Sequence, residues 1–172
     1  MYAPTLLTTL LLPIGLLALP SSIHAVQSLD PRQAQPAKPS LNLRQSQPTK
    51  PSPCVRISPA PDANATETRF DGFAKAFIYE KNITEAFTYI AKDYINHNPA
   101  AQNGSDSAWG ILSPIWASQN ITPIRTTFDA ESNQGWLNYQ TGSFGEVVDR
   151  FRWEAGCIAE HWDQGETYPE ST

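Results

Sequence analysis

Apolar residues at helical spacing mark the start of the folded part of the chain. Spaced three or four positions apart are Phe70, Phe73, Ala74, Phe77 and Ile78. This pattern predicts an amphipathic helix from about Glu67 to Lys81. Its stripe is best explained as core packing.

A second stripe follows at once, at Ile83, Phe87, Ile90 and Tyr94. Asn82 precedes it and can cap a helix, with Glu85 three residues later as its capping-box partner. Pro99 should end this helix.

A third helix is expected from Ser105, where Asp106 places a negative charge in the first turn. Its buried side would carry Trp109, Leu112, Ile115 and Trp116. Pro114 should bend or end it early.

After Thr122 the apolar rhythm changes to a period of two. Four strands are predicted, at residues 124–130, 135–141, 146–153 and 157–163. Helices followed by consecutive strands are typical of an α+β fold in which helices cover one face of an antiparallel sheet.

The last two strands carry the densest polar chemistry of the chain. A three-residue loop at Glu154–Gly156, with Gly156 in the left-handed conformation, would join them. This register places Trp153 opposite Cys157, Phe151 opposite Ala159, and Asp149 opposite His161, all on one face. Arg150 opposite Glu160 and Arg152 opposite Ile158 would then form the wetter outer face.

The predicted carboxylate–imidazole pair depends on the length of that loop. A two-residue loop would shift the register by one position and separate Asp149 from His161. If the pair forms, the carboxylate fixes the tautomer of His161 and stabilises its imidazolium.

The N-terminal third has a different composition. The apolar run from Leu6 to Leu19, followed by small residues up to Ala25, predicts a secretory signal peptide over residues 1–25. Residues 26–62 are rich in proline and contain no aromatic residue, which predicts a disordered arm. The globular domain is expected over residues 63–172.

Two further features favour export. Four N-x-S/T sequons lie at Asn64, Asn82, Asn103 and Asn120. The chain has two cysteines, and a disulfide between Cys54 and Cys157 is favoured over two unpaired thiols in an oxidising compartment.

Two motifs in this order resemble the SnoaL-like, polyketide cyclase-like family of the nuclear transport factor 2-like superfamily. The first is Asp93-Tyr-Ile-Asn-His-Asn-Pro99 with Asn103-Gly104. The second comprises Val148-Asp-Arg-Phe-Arg152 and Gly156-Cys-Ile-Ala-Glu-His-Trp-Asp163. The resemblance covers roughly residues 66 to 165. It implies a cone-shaped α+β barrel whose curved sheet wraps around helices and encloses an apolar pocket.

The resemblance also implies cofactor-free acid/base chemistry, such as isomerisation, cyclisation or aldol-type ring closure. We therefore expect a secreted enzyme acting on a small apolar carbonyl metabolite, with Asp149, His161 and His97 as catalytic residues. The side chains expected to line the pocket are Tyr94, Trp109, Asn138, Phe151 and Trp153. The alternative is a secreted non-catalytic module that binds a small molecule or dimerises through its sheet.

Structural roles compete with these assignments. Asp149 and His161 can form a buried pair that only holds the hairpin together. His97 can belong to a turn whose side chains cap backbone groups, and Asp163 is better explained as a turn or surface carboxylate.

Other function classes are disfavoured. The formal charge of −5 and the lack of a basic aromatic stripe argue against nucleic acid. His97, His161 and an aspartate can in principle hold a metal, but no close histidine pairing supports it. We expect neither a metal nor a cofactor, since no dinucleotide or phosphate-binding motif is present.

Overall fold

The computed structural model describes residues 47–170. The predicted signal peptide (1–25) and the arm up to residue 46 lie outside this range. The elements, in chain order, are α1 (Ala63–Ala74) continued by a π-helical turn (Lys75–Tyr79), α2 (Ile83–Phe87), β1 (Ile90–Asn96), α3 (Ser105–Leu112), a 3₁₀ turn (Trp116–Ser118), β2 (Ile121–Asp129), β3 (Gln134–Thr141), β4 (Gly145–Glu154) and β5 (Cys157–Trp162). Among the described helices, none combines the length and hydrophobicity that crossing a bilayer requires.

The strands form one five-stranded sheet in the order β1-β5-β4-β3-β2. Strands β2 to β5 pair antiparallel as consecutive hairpins, so the predicted α+β class and the four predicted strands are confirmed. The predicted antiparallel sheet of four strands is extended at one edge by β1, which pairs parallel to β5.

The second predicted helix is much shorter than expected. Asn82 caps α2 by accepting the amide of Glu85 at 3.1 Å, as predicted, but the helix ends at Phe87. Ile90 and Tyr94 lie in β1 instead. Their spacing of four also suits a strand whose partner, β5, is distant in sequence, and that pairing overrides the helical pattern.

Aromatic rings fill the space between α1 and the sheet. Phe73 packs on Phe151 at 4.8 Å between ring centroids, and Phe77 stacks on Trp116 at 4.1 Å. A Cβ at Gly135 would collide with the ring of Phe70, so glycine is needed for this close approach. These contacts confirm that the first helical stripe is core.

The predicted arm is attached to the domain near its end. Cys54 and Cys157 form a disulfide, as favoured from the sequence. The amide of Cys54 donates to Ile90 at 2.9 Å, and that of Ile57 donates to Ala155 at 2.9 Å. This part of the arm therefore lies along β1 and the β4–β5 turn rather than being disordered. The bridge joins residues separated by 103 positions, and a loop of that length corresponds to about 4–5 kcal/mol of stabilisation in the chain-entropy account.

The turn of the last hairpin differs from the predicted one. Glu154 pairs with Cys157, so the loop has two residues, Ala155 and Gly156, with φ of 49° and 81°. Two left-handed residues are typical of a hairpin turn that matches strand twist.

The predicted register is therefore wrong, yet the predicted face is kept. The pairing shifts between Arg152 and Trp153, and beyond the shift Phe151 pairs with His161. The irregularity adds one residue, Ala159, to β5, which returns His161 to the inner face. Asp149 and His161 are then diagonal neighbours rather than directly opposite.

Candidate functional site

The carboxylate of Asp149 and the imidazole of His161 meet on the inner face of the sheet. Asp149 Oδ1 lies 3.1 Å from His161 Nε2. Their side chains are 5% and 13% exposed, respectively. The imidazole also packs at 4.8 Å on the ring of Phe151, so its orientation is fixed by both contacts.

Tyr139 holds the other oxygen of the same carboxylate. Its hydroxyl donates to Asp149 Oδ2 at 2.7 Å, in a buried position. Burial, followed by the charge of Asp149, raises the pKa of Tyr139 well above its ordinary value. Tyr139 therefore remains a neutral donor, and Asp149 is anchored from both sides.

Two groups face the second ring nitrogen of His161. The hydroxyl of Tyr94 lies 3.5 Å from Nδ1, and Oδ1 of Asn96 lies 3.3 Å from it. Burial, with a smaller contribution from the charges of Asp149 and Asp163, raises the pKa of Tyr94. The four side chains thus form a line Tyr94–His161–Asp149–Tyr139 with a neutral phenol at each end.

Asp163 joins the pair at the end of β5. Asp149, His161 and Asp163 each offer one donor atom, and these atoms all lie within 4.8 Å of one another. Asn98 donates to Oδ2 of Asp163, and the amide of Gln164 donates to its Oδ1 at 2.6 Å. Asp163 therefore takes part in a turn, as expected, and also borders the site.

His97 does not reach the site. It lies outside the sheet, where Nε2 is 3.0 Å from Oε2 of Glu160 and its ring stacks on Trp162 at 4.4 Å between centroids. The hydrogen bond from His97, followed by that from Arg152, lowers the pKa of Glu160. The predicted outer Arg–Glu pair exists, but it joins Glu160 to Arg152 at 2.7 Å rather than to Arg150.

The other predicted lining residues are dispersed. Phe151 contacts His161, and Trp153 lies deeper in the core against Phe70 and Phe73. Trp109 packs edge-on against Phe87 at 5.1 Å.

Asn138 lies on the outer side of β3. Its amide donates to Glu146 at 2.9 Å, and its oxygen accepts from Arg125 at 3.2 Å. Asn138 therefore has a structural role in the strand network and does not face His161.

A cleft of about 320 Å³ lies at the far end of the sheet, away from the pair. It is bordered by Ala60, Pro61, Thr66, Ser132, Asn133, Arg152, Trp153, Glu154 and Ala155. The neighbours of Asp149 and His161 include the aromatic rings of Phe151, Tyr139 and Tyr94, and none of these rings borders the cleft. The cleft is therefore not the apolar pocket that the resemblance implies around the pair.

Two members of the site were not identified from the sequence. Tyr139 lies two residues after Leu137 on β3, and Leu137 pairs with Asp149. The alternation of side chains along the β3–β4 hairpin therefore puts Tyr139 on the same face as Asp149. Asn96 was assigned to a helix end, and only the pairing of Asn96 with His161 across β1 and β5 reveals its place.

Neither a protein-family model nor a curated protein matches this chain. Solved structures with a similar chain trace include TsrD from Streptomyces laurentii, with 17% identity, coverage of 60% of this chain and 89% of that one, and a TM-score of 0.44. A protein of unknown function with a cystatin-like fold from Methylobium petroleophilum PM1 has 11% identity, coverage of 66% and 82%, and a TM-score of 0.49. A candidate polyketide cyclase from Sinorhizobium meliloti has 14% identity, coverage of 56% and 94%, and a TM-score of 0.45. These similarities concern the course of the backbone.

Proposed function

We propose that the protein is a secreted, cofactor-independent acid/base enzyme that acts on a small apolar carbonyl compound. The observation that supports this function is the line of hydrogen-bonding groups Tyr94–His161–Asp149–Tyr139. A carboxylate anchored by a neutral phenol beside an imidazole is the arrangement that orients a general base.

The proposed chemistry assigns a role to each group. Nε2–H of His161 donates to Asp149, and Nδ1 accepts an α-proton from a substrate that displaces its 3.5 Å contact with the Tyr94 hydroxyl. Asp149 then stabilises the imidazolium, and Tyr94 donates a hydrogen bond to the enolate oxygen. Return of the proton to another carbon gives isomerisation, whereas attack of the enolate carbon on a second carbonyl gives ring closure.

Exchange of α-protons tests this proposal without knowledge of the natural substrate. A panel of cyclic and aromatic ketones is incubated with the protein in D₂O, and loss of the α-proton signals is followed by NMR. General acid/base catalysis contributes roughly 10²–10⁴-fold in rate, so at least one ketone should exchange about 10²-fold faster with the protein than without it.

Matched variants assign the exchange to the site. His161→Ala should abolish the acceleration. His97→Ala removes the other histidine of the described chain and should leave it intact. Equal rates for the wild type and His161→Ala, or loss of acceleration only in His97→Ala, would exclude His161 as the base.

A second candidate is the non-catalytic module. It is favoured by the small exposed fraction of the pair, because a buried Asp–His pair can serve only to stabilise the hairpin. Dimerisation through the outer sheet face would have to accommodate the C-terminal tail, since Glu166 accepts from Arg150 at 2.9 Å and Tyr168 packs against Arg125 at 4.0 Å. Mass spectrometry of any metabolite that co-purifies, together with the exchange assay, separates a binder from an enzyme.

Export is also part of the proposal. It is supported by the disulfide and by the position of the four sequon asparagines, which are all exposed: Asn64, Asn82, Asn103 and Asn120. Intact mass before and after endoglycosidase treatment of protein from the culture medium tests it. A protein that is retained in the cell without glycans would contradict this assignment.

A further inference from the structure

Asp149, His161 and Asp163 form a cluster of three possible metal ligands. Besides Asp149, the carboxylate of Asp163 places a donor atom within 4.8 Å of the others. The set therefore contains one imidazole nitrogen and two carboxylate oxygens from β4, β5 and the residue that follows β5. We propose that Asp149, His161 and Asp163 bind one divalent transition-metal ion, such as Zn²⁺, independently of whether the protein is an enzyme.

Charge balance is the first reason. Two carboxylates lie next to a single imidazole, and Asp149 is almost fully buried. Within residues 47–170, neither carboxylate has a lysine or arginine in its ion pairs. A buried carboxylate and a half-buried one beside a single imidazole form a negatively charged site that a bound cation would neutralise.

The spacing and the surrounding groups are the second reason. Two ligands bound to one zinc ion at about 2.1 Å lie about 3.0–3.4 Å apart. Nε2 of His161 lies 3.1 Å from Oδ1 of Asp149, and the donor atom of Asp163 lies within 4.8 Å of both. A metal-bound histidine usually donates its other N–H to an oxygen, and Oδ1 of Asn96 is placed for that role.

The carboxylates have matching outer partners. Tyr139 donates to Asp149 and Asn98 donates to Asp163, and hydrogen bonds of this kind orient metal-binding carboxylates. The nitrogen ligand favours a transition metal over Mg²⁺ or Ca²⁺, which prefer oxygen alone. Three protein ligands also leave room for a water or substrate in the coordination shell.

Metal binding and base catalysis would exclude each other at His161, because the metal takes the Nε2 position that otherwise carries the proton shared with Asp149. Zn²⁺ should therefore suppress any α-proton exchange. Exchange is measured in EDTA, so failure of that assay is distinguishable from failure of metal binding.

The test is titration of the untagged, EDTA-treated full chain with Zn²⁺ by calorimetry, and with Co²⁺ by visible absorption, at pH 7.5. The wild type should bind one equivalent with a micromolar dissociation constant. Asp163→Asn keeps the shape of the side chain and should weaken binding at least tenfold, since loss of an outer-shell partner alone typically costs 10–100-fold. Circular dichroism verifies that this variant is folded.

The His97–Glu160 pair is the internal control, because it has the same ligand types at 3.0 Å but lies on the outer face. His97→Ala should leave both titrations unchanged. The inference is overturned by the absence of saturable binding in the wild type, by binding that Asp163→Asn does not weaken, or by binding that His97→Ala abolishes.

Discussion

The described residues, 47–170, include two histidine–carboxylate pairs on opposite faces of one sheet. His161 and Asp149 lie on the inner face with side chains 13% and 5% exposed, whereas His97 and Glu160 lie on the outer face with side chains 39% and 18% exposed. The distances between nitrogen and oxygen are almost equal, at 3.1 Å and 3.0 Å. The two pairs therefore differ in the groups that surround them and not in the distance between nitrogen and oxygen.

The surroundings give the two pairs different chemistry. On the inner face, neutral phenols border the pair, and within residues 47–170 His161 is the one basic side chain that pairs with Asp149. On the outer face, Arg152 also binds Glu160 at 2.6 Å, so a guanidinium neutralises the charge of Glu160. Only in the inner pair, therefore, is the histidine the sole basic side chain beside the carboxylate among the described residues.

The two pairs should differ most in the coupling free energy between the histidine and its carboxylate partner. A double-mutant cycle of Asp149→Ala and His161→Ala should give a coupling of about 2–3 kcal/mol, since breaking a buried pair leaves an uncompensated polar group. The cycle of His97→Ala and Glu160→Ala should give less than about 1 kcal/mol. Urea unfolding at pH 7 measures both, and equal couplings would remove the distinction between the two faces.

The second-largest effect is expected on removal of the Tyr139 hydroxyl, which anchors the inner pair. Tyr139→Phe removes the donor to Asp149 and should lower the free energy of unfolding by about 1–2 kcal/mol, because the buried acceptor loses a partner. Tyr79→Phe is the matched control, since Tyr79 is 57% exposed and should change stability by less than about 0.5 kcal/mol. The urea midpoints of the two variants measure both stability changes, and equal changes would contradict an anchoring role for the Tyr139 hydroxyl.

The raised pKa of Tyr139 predicts a loss of stability at alkaline pH. The pKa of Tyr139 is raised in the folded state, so its contribution is fully present below the ordinary tyrosine pKa of about 10 and is lost as pH rises toward the folded value. The wild type should lose up to about 1.4 kcal/mol per pH unit from this group above pH 10. Tyr139→Phe should show a shallower decline in urea midpoint between pH 9 and 11.5, and an unchanged slope would contradict the assignment.

The smallest effect is expected for the outer pair, in the dependence of stability on acidic pH. The pKa of Glu160 is lowered in the folded state, so its stabilisation is present above the ordinary glutamate pKa and is lost as pH falls through the folded value. The melting temperature should therefore fall less between pH 5 and pH 3 in Glu160→Gln than in the wild type. Because the pair is partly solvated, we expect a difference of less than about 1 kcal/mol.

Much of the fold follows from local patterns. The period of Phe70, Phe73 and Phe77 determines α1 and its π-helical continuation, and the period of two after residue 122 determines β2 to β5. The two cysteines and the oxidising context predicted their bridge. The alternation along β4 also placed Asp149 on the apolar face, because a strand's side-chain period leaves only two choices.

What the sequence could not determine depends on contacts between distant segments. Ile90 and Tyr94 suit either a helix or a strand, and pairing with β5 decided between them. The two-residue turn alone would have turned His161 outward, and the extra residue in β5 reversed that result. Strand pairing likewise brought Tyr139 and Asp163 close to Asp149 and kept His97 away from it. The physical reason is that the stability of a strand's buried face depends on the segments that pack against it, and the spacing of residues within the strand does not specify those segments.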